Sequence, residues 1–308
     1  MAAKSVDSLI GKIRAIFRDI GRSGDWNPVL CLGNPTAAPL IKRHLKSVTL
    51  EQTRADVVKK QAIPLMFDKL AKLCRHISYV ASIEKDNIVK FLLLRDKAYF
   101  SVICHSGDRG GDLGILTANR IFELPDSGGI LITHTAGKVA SIHHPNNVIL
   151  LPSKDLDICP IRHLREYLNF AEKSGIHLSQ GYLFRVRSVT KKSVADKPVT
   201  SAVMSDRLKS HLLAVNLYEG ESSHSSRRGC AITLRLLGLN DEKVNQHIGW
   251  NSRNMLNHYS NIGKLCGPNS VATILSDAAD STDKDESQLC KISKTVTSMQ
   301  ALQKFYFH

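Results

Sequence analysis

The seven cysteines of this chain, Cys31, Cys74, Cys104, Cys159, Cys230, Cys266 and Cys290, never fall in a C-x-x-C arrangement. An odd number without metal-ligand spacing speaks against a disulfide framework or a zinc knuckle and for a reducing compartment. No apolar run approaches the roughly 18 residues of a membrane-spanning helix. The opening Met-Ala-Ala-Lys lacks a signal-peptide core. Those absences predict a soluble, intracellular protein. There is no P-loop, no D-x-D or D-D-E cluster, no Cys/His metal set and no internal repeat. Acidic residues are scarce as well, with 28 Asp and Glu against 42 Lys and Arg, a net charge of +14 and a pI near 9.5. That excess favours a polyanionic partner, with a merely solvated basic surface as the plainer reading. Apolar residues make up 43% of the 308. The content is enough for a proper core, and the length allows one large domain or two.

The patterning predicts a mainly α protein with one small antiparallel sheet, divided into segments 1–59, 60–265 and 266–308. Val6 to Ile20 shows a helical stripe of Leu9, Ile10, Ile13, Ile16 and Phe17. Gly24-Asp25-Trp26-Asn27-Pro28 ends it, and Gly33-Asn34-Pro35-Thr36 opens a second helical unit. The first sixty residues hold eleven basic and five acidic side chains, a surplus of six. They are few for an independent core, so this block reads as part of a helical module that clamps something, with truncation at its front as one reading. Helices are expected over Ile63–Ile77 and Val89–Cys104, with Arg109 opening a short one that carries Asp112 on the same face. A three-stranded meander follows, at 121–124, 130–135 and 148–151, with Gly137-Lys138 in its second turn. Cys159-Pro160 starts a helix that stops at Gly175, and Ser188 to Thr200 reads as a polar, lysine-bearing loop. Short helices are expected around 224–237, from Asn240-Asp241 to Ile248, and after Asn251-Ser252, the last containing Tyr259. An acidic, serine-rich linker and an amphipathic piece, Val296 to Phe307, complete the chain.

Within this frame stand Ser-Gly-Asp-Arg109, His224-Ser-Ser-Arg227, Trp250 and Tyr259. Arginine suits a planar fork on a phosphate, because its donors match two oxygens at once. Tyrosine, with a reference pKa of about 10, is almost wholly un-ionised at neutral pH and needs neighbours that stabilise charge on what it attacks. Each residue has a blander reading when taken alone. Arg227 pairs with Arg228 as a basic surface, Asp112 makes a helix-surface ion pair, and Lys138 is a solvated hairpin lysine. Trp250 packs in a core, and Tyr259 is a half-buried aromatic.

Taken in order, the residues resemble the tyrosine recombinases, the phage integrases and related DNA strand-exchange enzymes. The pattern is Arg109, Lys138 in a hairpin, His224-x-x-Arg227, Trp250 and Tyr259, with 23 residues from Arg227 to Trp250 and nine more to Tyr259. His-Ser-Ser-Arg-Arg-Gly with Ile-Gly-Trp is most similar to recombinases of eukaryotic mobile elements of the Crypton and DIRS type. The resemblance covers residues 60–265 well, the first sixty loosely and the tail not at all. It implies a catalytic domain of that fold preceded by a small helical domain, closing as a C-shaped clamp on double-stranded DNA. It also implies a homotetramer on paired sites and a nuclear location.

The roles follow from that resemblance. Arg109 and Arg227 clamp the non-bridging oxygens of the scissile phosphate, and Asp112 buttresses Arg109. His224 donates to the phosphate and handles the tyrosine proton. Lys138 protonates the leaving 5′-oxygen. Trp250, where histidine is more usual, keeps one N–H donor. Tyr259 is the nucleophile and forms a 3′-phosphotyrosine. The ester stores the bond energy, so neither metal nor cofactor is expected. Ser226 departs from the pattern, which more often has an apolar residue there. Two rival readings remain: a type IB topoisomerase-like enzyme with the same chemistry, and a domesticated protein that binds DNA without cutting it.

Overall fold

A computed structural model describes residues 3–55, 62–137, 140, 142–190, 192–250 and 274. The expected third helix with Tyr259, the linker and the Val296–Phe307 piece lie outside the described residues, as does Lys138. The chain divides into two compact units, Met1–Gln61 and Ala62–His308.

The first unit is built on α1 (Ala3–Asp19) and α2 (Pro39–Arg54), joined through a short 3-10 turn at Pro35–Ala37. Asn34 organises the junction. Its side-chain amide donates to the Arg14 carbonyl at 3.1 Å, and its oxygen accepts from the Thr36 hydroxyl at 2.7 Å. Among the described residues of this unit only Ile10 is a buried apolar side chain, while Leu9, Ile16 and Ile20 remain exposed.

The second unit is organised around α4 (Asn87–Ser106), which packs against α3 (Phe67–Ile83), α6 (Pro160–Lys173) and α8 (Ser223–Leu236). Asp86 caps α4 by accepting from the Ile88 and Val89 amides at 2.7 and 3.1 Å. This is the N-cap arrangement that satisfies otherwise orphaned donors. The helix is buried nearly all round, with Phe91, Leu94, Ala98, Val102 and Ile103 in the core. Fully burying each such large apolar side chain is worth about 1.5–3 kcal/mol. Its buried Asp96 accepts from Arg95 at 2.5 Å, Arg207 at 2.6 Å and His211 at 3.0 Å. Burial alone would raise the Asp96 pKa, but Arg95 first, then His211 and Arg207, hold it far below the usual carboxylate range.

The meander stands as expected. Strands β1 (Ile121–Leu124), β2 (Gly129–His134) and β3 (Asn146–Leu150) pair antiparallel in that order. The register sets Ile132 opposite both Ile121 and Val148, and His134 opposite Asn146. Side chains alternate faces along a strand, so His134 shares the inward face of Ile130 and Ile132, and all three are buried.

Three elements differ from the expectation. Helix α3 begins at Phe67 rather than Ile63, because the proline at position 64 disfavours helical geometry at the residue before it. Residues 62–66 carry no regular secondary structure, with Met66 in an extended conformation, and the Leu65 amide donates to the Ser225 carbonyl at 3.0 Å. The polar 188–200 stretch is not a loop but carries half of a second hairpin, β4 (Arg185–Arg187) with β5 (Val194–Pro198). Finally, α7 (Ser201–Ala214) was not anticipated; Thr200 caps it, and it buries Met204, Leu208, His211 and Leu212. Beyond these, α5 (Gly110–Gly114) follows α4, and α9 (Asp241–Ile248) follows α8. Among the described residues no helix is long and apolar enough to cross a membrane.

Candidate active site

Helix α8 begins with a reciprocal cap. The Ser222 hydroxyl accepts from the His224 amide at 3.3 Å, and the Ser222 amide donates to the Ser225 hydroxyl at 2.9 Å. Capping of this kind fixes where a helix starts, and so it fixes the phase of His224 and Arg227, three residues apart on one face. His224 is exposed in the first turn, while Arg227 is 2% exposed. Two residues further on, Gly229 lets the chain at Leu65 lie against the helix, since a Cβ there would stand 2.0 Å from the Leu65 carbonyl oxygen.

Arg227 is held from two sides. Its Nη1 donates to the Gly107 carbonyl at 2.6 Å, and its guanidinium lies over the Trp250 ring, 5.0 Å from the centroid. Trp250 belongs to a small core with Cys230, Ala231, Val244 and Ile248. It therefore packs, as the plainer reading held, and also supports the arginine. Gly107 ends α4 in the left-handed region at φ 65°, and its absent Cβ would meet Ile248 at 3.0 Å. The positive φ favours glycine, and the contact leaves a Cβ little room.

Directly after that turn, Arg109 occupies the residue that precedes α5, and its Nη1 reaches Asp112 at 3.4 Å. The β2–β3 connection comes to the same place. Gly137, the last described residue before Lys138, sits so near that a Cβ on it would lie 2.8 Å from the Asp112 carboxyl carbon. Asp108, Arg109, Asp112, His134, Asn146 and Arg227 line one shared cleft. Gly249, at φ 71°, closes its far end against the Asn146 side chain. Residues far apart in the chain are thus gathered at one point. Lys138 and Tyr259 lie outside the described residues. His247 faces away, with Nε2 2.8 Å from the His105 carbonyl. Arg228 points elsewhere too, donating to the Ala62 carbonyl at 2.7 Å.

Two residues here were not singled out from sequence, Asp108 and His134. Both are buried, at 4% and 3% exposure, and His134 Nε2 stands 3.0 Å from Asp108 Oδ2. Burial would push the Asp108 carboxyl up, but the hydrogen bond and charge of His134, then Ser106 and Arg227, hold it below the usual range. Burial would push His134 down, and Asp108, with a contribution from Asp112, pushes it up instead. The strand alternation could have found His134, since it continues the buried phase of Ile130 and Ile132.

Among the described residues no group of three or more Cys, His, Asp or Glu has the arrangement of a metal site. The described cysteines, including buried Cys74, Cys104 and Cys230, are all free thiols.

No protein-family model matches the sequence, and no curated protein matches it. Solved structures do. A XerH site-specific recombinase bound to a palindromic difH substrate, in a post-cleavage complex, aligns with a TM-score of 0.51 at 18% identity, covering 73% of this chain and 54% of that one. XerA recombinase aligns at 0.45 and 16% identity, over 72% of this chain and 71% of that one. A lambda integrase dimer bound to a COC′ core site aligns at 0.43 and 14%, over 84% and 64%. The chain spans about half the length of the XerH chain it matches. At such identities the likeness speaks for the fold alone, and the mostly helical architecture with small antiparallel sheets matches that of a tyrosine recombinase catalytic domain.

Proposed function

We propose that this protein breaks and rejoins duplex DNA as a site-specific recombinase, with Tyr259 as nucleophile. The Tyr259 oxygen attacks the scissile phosphorus, and the bond to the 5′-oxygen breaks. A 3′-phosphotyrosine and a 5′-hydroxyl result, the latter taking its proton from Lys138. Rejoining is the reverse attack by a 5′-hydroxyl. Arg109 and Arg227 stabilise the charge that grows on the non-bridging oxygens, a task for preorganised donors. His224 donates to the phosphate and manages the tyrosine proton, and Trp250 backs Arg227.

One observation carries this reading. Arg227 and Gly107, 120 residues apart, are joined by a 2.6 Å hydrogen bond, so the turn that bears Arg109 and the helix that bears Arg227 share one cleft. The net charge of +14 suits a DNA partner, and the XerH and lambda integrase structures hold DNA sites. The finer parts of the reading extend from the sequence. They are a Crypton- or DIRS-type element as the source, a homotetramer on paired sites in the nucleus, residues 1–59 as a DNA clamp, and the Val296–Phe307 piece docking on a neighbouring protomer.

The test is incubation with nicked suicide DNA drawn from the flanks of the protein's own gene, scored for covalent protein–DNA adducts. Adducts in which the protein is joined to a 3′-phosphate end of the DNA are expected. Binding without any adduct would favour a protein that no longer cuts.

A further inference from the structure

The buried pair in the cleft has a geometry that general packing does not explain. An ion pair removed from water is weak evidence for stability, since well-packed apolar residues often serve as well or better. Here the pair is placed where it touches both candidate clamp arginines through the chain. Asp108 lies between Gly107, whose carbonyl seats Arg227 at 2.6 Å, and Arg109 itself. Its amide donates to the Ser106 hydroxyl at 3.2 Å, and its carboxylate meets His134 Nε2 at 3.0 Å. His134 ends β2, the strand that leads into the hairpin whose Gly137 approaches Asp112.

We propose that Asp108 and His134 form a positioning unit that locks the Arg109-bearing turn to the hairpin strand and keeps the Asp108 charge from neutralising Arg227. This rests on the recombinase reading for its catalytic consequence, though not for its geometry. The electrostatic reasoning is direct. With His134 protonated, the Asp108 carboxylate is matched within the pair, and Arg227 offers its full charge to a phosphate. With His134 neutral, the same carboxylate is left facing Arg227 and competes with the phosphate for it. Among the described residues, the charged groups facing the pair are Asp112 from α5, which favours the protonated imidazole, and Arg109 and Arg227, which share the cleft. Two further titratable groups feel the Asp108 charge, Tyr99 of α4 and Cys230 of α8, and burial first pushes both up, so they stay neutral across the range in question. Asn146 from β3 and Ile248 and Gly249 from α9 add none. The directions of titration agree, with Asp108 held down and His134 held up.

The experiment uses the full chain and follows two signals across pH. One is the rate of adduct formation on the nicked suicide DNA. The other is the nuclear magnetic resonance of the His134 imidazole and the Arg227 Nε–H in the free protein. In the unaltered protein the rate should fall on the alkaline side at the midpoint of the His134 titration, and the Arg227 signal should move with it. His134→Gln keeps a neutral donor but cannot titrate. It should lose that alkaline limb and run about 10-fold slower below it, the scale on which supporting partners of active groups act. Asp108→Asn should lower the His134 midpoint in the resonance titration and, with no carboxylate left to compete for Arg227, abolish the alkaline limb; a limb that merely shifted would count against the proposal. An alkaline limb unchanged in His134→Gln would overturn the proposal. So would an Arg227 signal indifferent to the His134 titration in the unaltered protein, a readout that needs no variant to fold. If no DNA yields an adduct, the recombinase reading fails, and the Arg227 signal still decides whether the pair governs the arginine.

Discussion

Arg227 and Arg228 are neighbours in sequence and opposites in surroundings. Arg227 is enclosed between the Gly107 carbonyl and the Trp250 ring, while Arg228 reaches back to the Ala62 carbonyl. Removing a preorganised donor from a transition state typically costs about 10²–10³ in rate, so Arg109→Ala and Arg227→Ala should each slow cleavage by about that factor while binding falls far less. Arg228→Ala should leave cleavage nearly unchanged and cost about 1.5–3 kcal/mol of stability, the worth of a hydrogen bond from a charged donor. Cleavage assays beside chemical denaturation separate the two, and equal catastrophic losses at both positions would show the clamp misassigned. The Asp108–His134 pair makes a second prediction at this scale. His134 has its pKa raised in the folded state, so its contribution is present below about 6.5 and lost as pH rises through the folded value. Asp108 has its pKa lowered, so its contribution is present above about 3.9 and lost as pH falls through the folded value. Between those limits both are in force. Urea midpoints across pH should show Asp108→Asn losing most stability relative to the unaltered chain in that window; a pH-independent difference would contradict the pairing. Type and spacing singled out Arg109, Asp112, Arg227 and Trp250, and the fold brings the first three to one cleft with Trp250 packed on Arg227. Asp108 with His134 was not legible in that way, because a contact between residues 26 apart leaves no period in a sequence.

Helices with a continuous apolar stripe and clear punctuation were read to within a few residues: α4 between its Asp86 cap and Gly107, α6 from Pro160, and α9 behind Asn240. The meander was legible too, because alternating apolar residues and a Pro-Asp-Ser-Gly-Gly turn agree with its register. What failed to show were elements whose support is tertiary. Helix α7 buries a narrow line at Met204, Leu208 and Leu212 amid polar residues, and β5 is built from Val194-Ala-Asp-Lys-Pro198, poor in strand formers. The second hairpin exists because it pairs with β4, which a local pattern cannot announce. The 62–66 segment gives the element-scale prediction. Gly229→Ala puts a Cβ 2.0 Å from the Leu65 carbonyl oxygen, which must force that segment off α8. Overpacking of this kind costs about 1–3 kcal/mol or somewhat more. Thermal unfolding checks it; an unchanged midpoint would mean that the 62–66 segment does not lie against the helix.

At the scale of the whole molecule the surplus of basic residues becomes a measurable quantity. A protein that neutralises several DNA phosphates loses affinity as salt rises, with log K falling by about 0.9 per phosphate for each tenfold change. The first sixty residues hold a surplus of six positive charges and should supply part of that slope. Titrating salt against the full chain and against one lacking residues 1–60 measures it, and an unchanged slope would refute a clamping role for the first unit. The central claim, that DNA is cut by covalent attack from Tyr259, is tested most directly by exchanging that one oxygen. Tyr259→Phe keeps the ring and removes only the nucleophile. Incubated with nicked suicide DNA beside the unaltered chain, it should bind with nearly unchanged affinity and form no covalent adduct. Adducts persisting in the Phe variant would contradict the account and turn attention to Tyr218 as the attacking residue.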